Sequence, residues 1–281
     1  MSRRIRRALI SASLAFALSL SSARAQDAIH SHETHRPARD NASAEQRHIP
    51  PDPPQHPMPD ISAERMIEVM GMDDDAPFFM ISFDELEWRD AEDDVLAWDA
   101  QAWFGDDYNK LFVKTEGVRS DHADHSRHEL LWDRIVSRWW SAQIGVRHDL
   151  GEGPSRTWAA FGVQGLAPQW LEVEAAFYVG EQGRTAFRAS VDQDLLLTQR
   201  WVLQPALELN AYGKDDAANG IGSGLADAEA GLRLRYEIRR EIAPYAGVVY
   251  VRRFGETADL ARLADRETSE WQWLAGIRVW F

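Results

Sequence analysis

Ser269-Glu270-Trp271-Gln272-Trp273-Leu274-Ala275-Gly276-Ile277-Arg278-Val279-Trp280-Phe281 closes the chain and decides its fold. Trp271, Trp273, Ala275, Ile277, Val279 and the terminal Phe281 alternate with Gln272, Leu274, Gly276, Arg278 and Trp280. That period of two gives an extended segment one apolar face and one mixed face. Working upstream, Ala228, Ala230, Leu232, Leu234 and Tyr236 oppose Glu229, Arg233, Arg235 and Glu237. Leu171, Val173, Ala175, Phe177 and Val179 oppose Glu172 and Glu174. The same rule puts Tyr245, Gly247, Val249 and Val251 on the apolar face of their segment and Arg252 on the other. Charged residues along one side of strands about ten residues long are the pattern of a membrane-spanning barrel, apolar towards lipid and polar towards the lumen.

The strand count agrees. Extended segments are expected near residues 78–88, 95–104, 109–119, 127–137, 139–149, 157–167, 169–180, 184–195, 200–212, 226–238, 243–254 and 269–281. This is an even set of twelve, as a closed single-chain bacterial barrel requires. Every second connection is short: Gly105-Asp106-Asp107-Tyr108, Arg138, Pro168, Thr198-Gln199 and Glu241-Ile242. Those are expected as periplasmic turns. Ser120 to Ser126, Gly213 to Leu225 and Gly255 to Thr268 are longer and polar, as outer loops are when both termini are periplasmic. Trp139, Trp140, Trp158, Trp170, Trp201, Trp271, Trp273 and Phe281 fall near strand ends, where interfacial aromatic girdles sit. The competing architecture is a soluble β-sandwich with tryptophans packed inside and charges facing water.

The beginning of the chain favours the envelope. Arg3, Arg4, Arg6 and Arg7 precede an apolar run from Ala8 to Leu20, followed by Ala23-Arg24-Ala25. This reads as a signal peptide over residues 1–25, too short in its apolar part to span a bilayer as a helix. The 281-residue chain has a formal net charge of −14 and no cysteine. Losing the leader removes five arginines and no carboxylate, so the remainder is more acidic still. Nucleic acid is excluded as a natural partner, and so are disulfide frameworks and thiolate chemistry. No G-x-x-x-x-G-K-[ST] run occurs, so nucleotide use is not expected.

Residues 26–76 hold seven of the 12 prolines and cannot build a core, so this segment reads as low-complexity and disordered. Its chemistry is selective. Met58, Met66, Met70 and Met72 lie here with His30, His32, His35, His48 and His56. Thioethers select Cu(I), and Met66 and Met70 would share one face if 61–70 were helical. An amphipathic turn packing on a barrel mouth would use the same residues. A second cluster, Asp121-His122-Ala123-Asp124-His125-Ser126-Arg127-His128, is expected on an outer loop. Its imidazoles suit Cu(II), Zn or Ni, but an extended backbone would throw His122 and His128 to one side and His125 to the other. A solvated polar loop explains it equally.

On the lumen side the alternation places Asp84, Asp99, Gln101, Lys114, Glu116, Arg147, Glu172, Glu174, Arg188, Asp192, Glu208, Glu229, Arg233, Arg235, Arg252 and Arg278. Opposed charges in a barrel of this size either fill the interior by pairing or line a conduction path. A hydrolase reading is weak, because His148 lacks a serine at the close spacing such a dyad needs, and no catalytic residue is expected.

The run Phe78-Phe79-Met80-Ile81-Ser82-Phe83-Asp84-Glu85-Leu86-Glu87-Trp88, followed by Ala97-Trp98-Asp99-Ala100-Gln101-Ala102-Trp103-Phe104-Gly105-Asp106, resembles the copper resistance protein B family. So do 111–117, 143–149 and 162–168, and the resemblance spans essentially the whole chain beyond the leader. It implies an outer-membrane barrel that binds copper in the periplasm or moves it across the outer membrane, with a periplasmic copper oxidase or carrier as a partner. The chain departs from the repeated Met/His/Asp/Gly motifs frequent in that family, so the resemblance implies a few copper sites around Met58, Met66, Met70, Met72 and His56, with His122, His125 and His128 outside. The alternatives are a general porin or surface barrel and, further off, an outer-membrane phospholipase.

Overall fold

A computed structural model of the chain describes Ser62, Arg65, Met66, Val69 and residues 77–91, 94–120 and 124–281. The leader reading and nearly all of the low-complexity segment lie outside the described residues.

From Phe78 the chain runs as β1 (Phe78–Asp90), β2 (Asp94–Gly105), β3 (Asn109–Arg119), β4 (Asp124–Ser137), β5 (Trp140–Gly151), β6 (Arg156–Ala167) and β7 (Leu171–Gly180). It continues through β8 (Thr185–Asp192), β9 (Leu195–Leu196), β10 (Trp201–Tyr212), β11 (Gly224–Tyr236), β12 (Ile242–Arg253) and β13 (Ser269–Trp280). Each strand pairs antiparallel with its neighbour. The two-residue β9 continues the line of β8 along β10, so the thirteen strands make a barrel of twelve staves. β13 closes on β1, and at the seam Ile81 and Phe281 exchange both backbone hydrogen bonds, at 3.1 and 2.9 Å. The terminal aromatic residue is thus part of the closure.

Both ends of the barrel sequence lie at one rim, called here the terminal end, along with the short turns near residues 106–108, 138–139 and 168–170. The longer connections, 213–223 and 254–268, lie at the opposite rim. The second of these was expected as a loop and contains a helix, α1 (Gly255–Leu263), which buries Thr257, Ala258 and Ala261. Thr257 Oγ1 accepts a hydrogen bond from the Gly222 amide at 2.9 Å, tying the two long loops together. The small stripe Thr257, Ala258, Ala261 has helical spacing but is too short to stand out from a polar segment.

Alternation turns the barrel inside out relative to a soluble fold. Leu111, Trp132, Ile144, Phe161, Phe177 and Phe187 are paired in sequence across β3 to β8 and form one transverse apolar row. Each is 45–48% exposed on the outer wall. A water-facing band of that extent is unfavourable, whereas hydrocarbon accommodates it, and this excludes the sandwich alternative. The core lies within the barrel: Phe112, Leu131, Trp158 and Tyr178 pack together on one side, Tyr245, Val249 and Leu274 on the other.

Candidate functional site

The lumen is where this fold concentrates its charge. Its first feature is a break in alternation. Opposite β2, Phe83 pairs with Ala100 and Glu85 with Asp99, so β1 carries a one-residue bulge at Asp84. Before it, even-numbered side chains face inward, and after it odd-numbered ones do, which brings Glu85, Glu87 and Arg89 inside.

Glu87 is 1% exposed and forms a hub. It accepts hydrogen bonds from Arg89 Nε at 2.6 Å, from Arg233 Nε and Nη2 at 3.1 Å each, and from the Tyr245 hydroxyl at 3.0 Å. Arg233 also reaches Glu85 at 2.7 Å, and Arg89 reaches Glu229 at 3.1 Å. Gly276 makes room for this hub, since a methyl group there would lie 2.6 Å from the Tyr245 ring and 2.8 Å from Glu87 Cβ. A buried carboxylate with this many donors stays charged only because they are all in place.

A second network crosses the lumen from β3 and β4 to β8 and β10. Arg188 is bidentate to Glu208 at 2.9 and 2.8 Å and reaches Glu116 at 2.7 Å. Arg127 meets the same Glu116 at 2.7 Å. Lys114 holds Glu174 at 2.8 Å. Beside them, Arg147 is bidentate to Asp149 at 2.7 and 2.8 Å and stacks over Tyr178 at 4.5 Å, while Tyr178 donates to Glu129 at 2.8 Å. Paired guanidinium and carboxylate groups therefore occupy the waist of the barrel.

Below the waist, a cavity of about 650 Å³ extends to the turn Ser137–Trp140 at the terminal end. Nine carboxylate side chains and five basic ones line it. Most are held: Asp84 accepts from Arg278 at 3.1 Å and Gln101 at 2.8 Å, and Asp133 from Ser141, Gln143 and Gln164 at 2.6, 3.1 and 3.0 Å. The Asp99 and Glu172 side chains have no hydrogen bond or ion pair among the described residues, and Asp99 also lines a 60 Å³ cavity at the waist. At the opposite rim, the loop residue Asp216 is gripped by Arg156 through both oxygens at 2.8 and 3.0 Å, which holds its carboxyl below the usual carboxylate range.

Fifteen of the sixteen residues read as lumenal belong to strands whose other lumenal positions face inward; Arg252 does not. β12 turns Tyr245 and Val249 inside, which leaves Arg252 exposed outside against Phe254. Both faces of β12 are apolar, so hydropathy alone does not mark its lipid side. Trp158 also departs from the girdle reading: it is 4% exposed and donates to Asp149 at 2.9 Å. Trp139 and Trp170 do sit exposed at the terminal rim, edge to face at 6.4 Å. Glu85, Glu87, Arg89, Arg127, Glu129, Asp133 and Asp149 were missed. In β4 the signal is present as Arg127, Glu129, Leu131 and Asp133 alternating with His128, Leu130 and Trp132.

Of the metal candidates, Met66 is described, in a helical turn where Ser62 Oγ accepts from the Arg65 amide at 3.3 Å, and it is exposed. Met58, Met70, Met72, His56 and His122 lie outside the described residues. The outer-loop expectation for His125 and His128 is overturned: β4 begins at Asp124 and takes in both. Strand alternation sends His125 towards the lumen with Arg127 and His128 to the outer wall, so the two cannot share an ion. Among the described residues no three His, Asp or Glu side chains converge as a metal-binding set.

Residues 77–281 match the family model described as Copper resistance protein B precursor. The chain is 46% identical over 200 residues to a copper resistance protein B homolog of Pseudomonas syringae pv. tomato, covering 70% of this chain and 68% of that protein. Against Copper resistance protein B of Escherichia coli it is 41% identical over 210 residues, covering 74% and 71%. Among solved structures, the KdgM porin aligns at TM-score 0.46 and 11% identity over 71% of this chain and 98% of that one. The NanC porin aligns at 0.48 and 12% over 72% and 99%.

Proposed function

Since this chain belongs to the copper resistance protein B family, we propose that it is an outer-membrane copper-binding protein that serves copper resistance by capturing copper at its periplasmic, terminal end. The observation that carries this reading is the vestibule: a large cavity with a carboxylate excess, reaching the rim where β1 begins, beneath a waist crossed by ion pairs. Thioethers of Met58, Met66, Met70 and Met72, with His56, provide the soft ligands that select Cu(I). The vestibule offers oxygen donors, which suit Cu(II) or a hydrated ion, and of the two carboxylates that line both vestibule and waist, Asp99 and Glu174, Glu174 is held by Lys114 and Asp99 is not. Both termini lie in the periplasm in this reading, where an oxidase or carrier delivers the metal.

Ion pairs across the waist favour capture over free conduction. Export across the membrane would require Arg188 to leave Glu116 and Glu208, a cost of several kcal/mol unless the ion itself compensates the carboxylates. Cu(I) binding to a Met66→Leu/Met70→Leu/Met72→Leu variant tests the capture role. A loss of at least tenfold in affinity is expected; wild-type affinity would refute it.

A further inference from the structure

We propose a second, separate metal site on the outer wall of the barrel, formed by the cross-strand pair His128 and His148 and suited to a divalent ion of Cu(II) type. The two residues are register partners in the β4–β5 ladder. Both are exposed on the outward face. Directly opposed residues on one face of an antiparallel pair have Cβ atoms about 4.5–5.5 Å apart, a spacing from which two imidazoles reach one ion. Exposed rings rotate on a picosecond to nanosecond timescale, so the ring orientations needed for chelation are accessible.

Each ring is also set up by a hydroxyl. His148 Nδ1 is hydrogen-bonded to Thr157 Oγ1 at 2.9 Å, and His128 Nε2 to Ser126 Oγ at 3.2 Å. One nitrogen of each ring is thereby engaged, and His148 Nε2 and His128 Nδ1 are left without a partner among the described residues. A ring that donates N–H to a neighbouring oxygen presents the lone pair of its other nitrogen outward, the arrangement second-sphere groups impose on metal-bound histidines. The pair lies in a polar transverse row, Thr115, His128, His148, Thr157, one step from the row Val113, Leu130, Val146, Ala159 that begins the apolar band. The site therefore stands at the water-facing edge of that band, at the rim opposite the termini, with open coordination positions for water. Two imidazoles plus water oxygens form the tetragonal N,O set that Cu(II) prefers, and no thioether is present to favour Cu(I).

The site does not depend on copper capture by the Met segment, and the test separates them. Cu(II) is titrated into the full chain in detergent micelles and followed by electron paramagnetic resonance. Wild type is expected to show a tetragonal Cu(II) signal with splitting from two nitrogens. His128→Gln and His148→Gln should each remove one equivalent of the two-nitrogen species. Thr157→Val should weaken binding while keeping the two-nitrogen pattern, and the Met66/Met70/Met72→Leu variant should leave it unchanged. Heat-modifiable gel mobility reports whether each variant is folded. A two-nitrogen signal undiminished in amount in the folded double histidine variant, or a wild-type signal with one nitrogen or none, would overturn the proposal.

Discussion

Asp84 and Glu85 are consecutive in β1, and both turn into the lumen because two residues of β1 stand opposite the single Asp99 of β2. The same extra residue is absorbed on the other side, where Phe83 pairs with Val279 and Glu87 with Gly276. Asp84 is therefore the residue whose removal would make both ladders regular while keeping Glu85, Glu87 and Arg89 inside. Deletion of Asp84 should give a barrel that still folds, judged by heat-modifiable mobility. Deletion of Leu130 from β4, whose ladders are regular from Asp124 to Arg134 with β3 and from His125 to Ile135 with β5, should not, since either Arg127 and Glu129 or Asp133 would then face lipid.

Glu87 is the acceptor that holds Arg89, Arg233 and Tyr245 in one cluster. Glu87→Ala leaves two guanidinium groups short of a counter-charge in a buried place, and should cost about 3–5 kcal/mol in urea unfolding from micelles. Tyr245→Phe removes one neutral donor to a charged acceptor and should cost about 1.5–3 kcal/mol. Because both act on one network, the double variant should be less destabilised than the sum.

That bulge explains what the amino-acid order conveys and what it hides. Strict alternation is enough to place most of the lumenal groups, from Lys114 and Glu116 to Arg233 and Arg235, and to find all twelve staves. It fails where the phase slips. Between Phe83 and Leu86 the apolar positions change from odd to even, which is the trace the bulge leaves, but two acidic residues in a row look as much like a strand end. In β12 both faces are apolar, so Tyr245 and Arg252 could not be assigned by hydropathy. Trp158 looks like a rim anchor from its position, and only the nearby Asp149 makes the lumen a better place for its N–H. The polar residues before His125 and His128 have a loop's composition, yet the ladders with β3 and β5 extend the strand past that composition change.

The outer band gives a direct test of the membrane setting. Ile144 sits within the transverse apolar row between Trp132 and Phe161. Ile144→Arg should lower barrel stability by about 2–4 kcal/mol in bilayers, with a smaller loss for a substitution near the rim such as Thr157→Arg. Equal costs at the two positions would contradict the placement of the band.

Acid should loosen the loops of the far rim before it affects the staves. Arg156 holds Asp216 below the usual carboxylate range through a bidentate hydrogen bond. A depressed carboxyl adds stability that is complete above its unfolded value, about pH 4, and lost as pH falls through the folded value. Protease cleavage within 213–223 should therefore accelerate as pH drops below about 4. In Arg156→Gln, where Asp216 loses its bidentate partner and keeps only Asn219 and the more distant Arg184, cleavage should be faster already at neutral pH.

The central claim is that copper is captured by the segment that leads into the barrel. Copper stoichiometry, for Cu(I) and Cu(II) separately, measured on the full chain and on a chain beginning at Pro77, tests this most directly. Loss of the Cu(I) equivalents with residues before Pro77, while Cu(II) at the outer wall remains, is the predicted result. Cu(I) retained in full by the chain beginning at Pro77 would contradict capture by the Met segment.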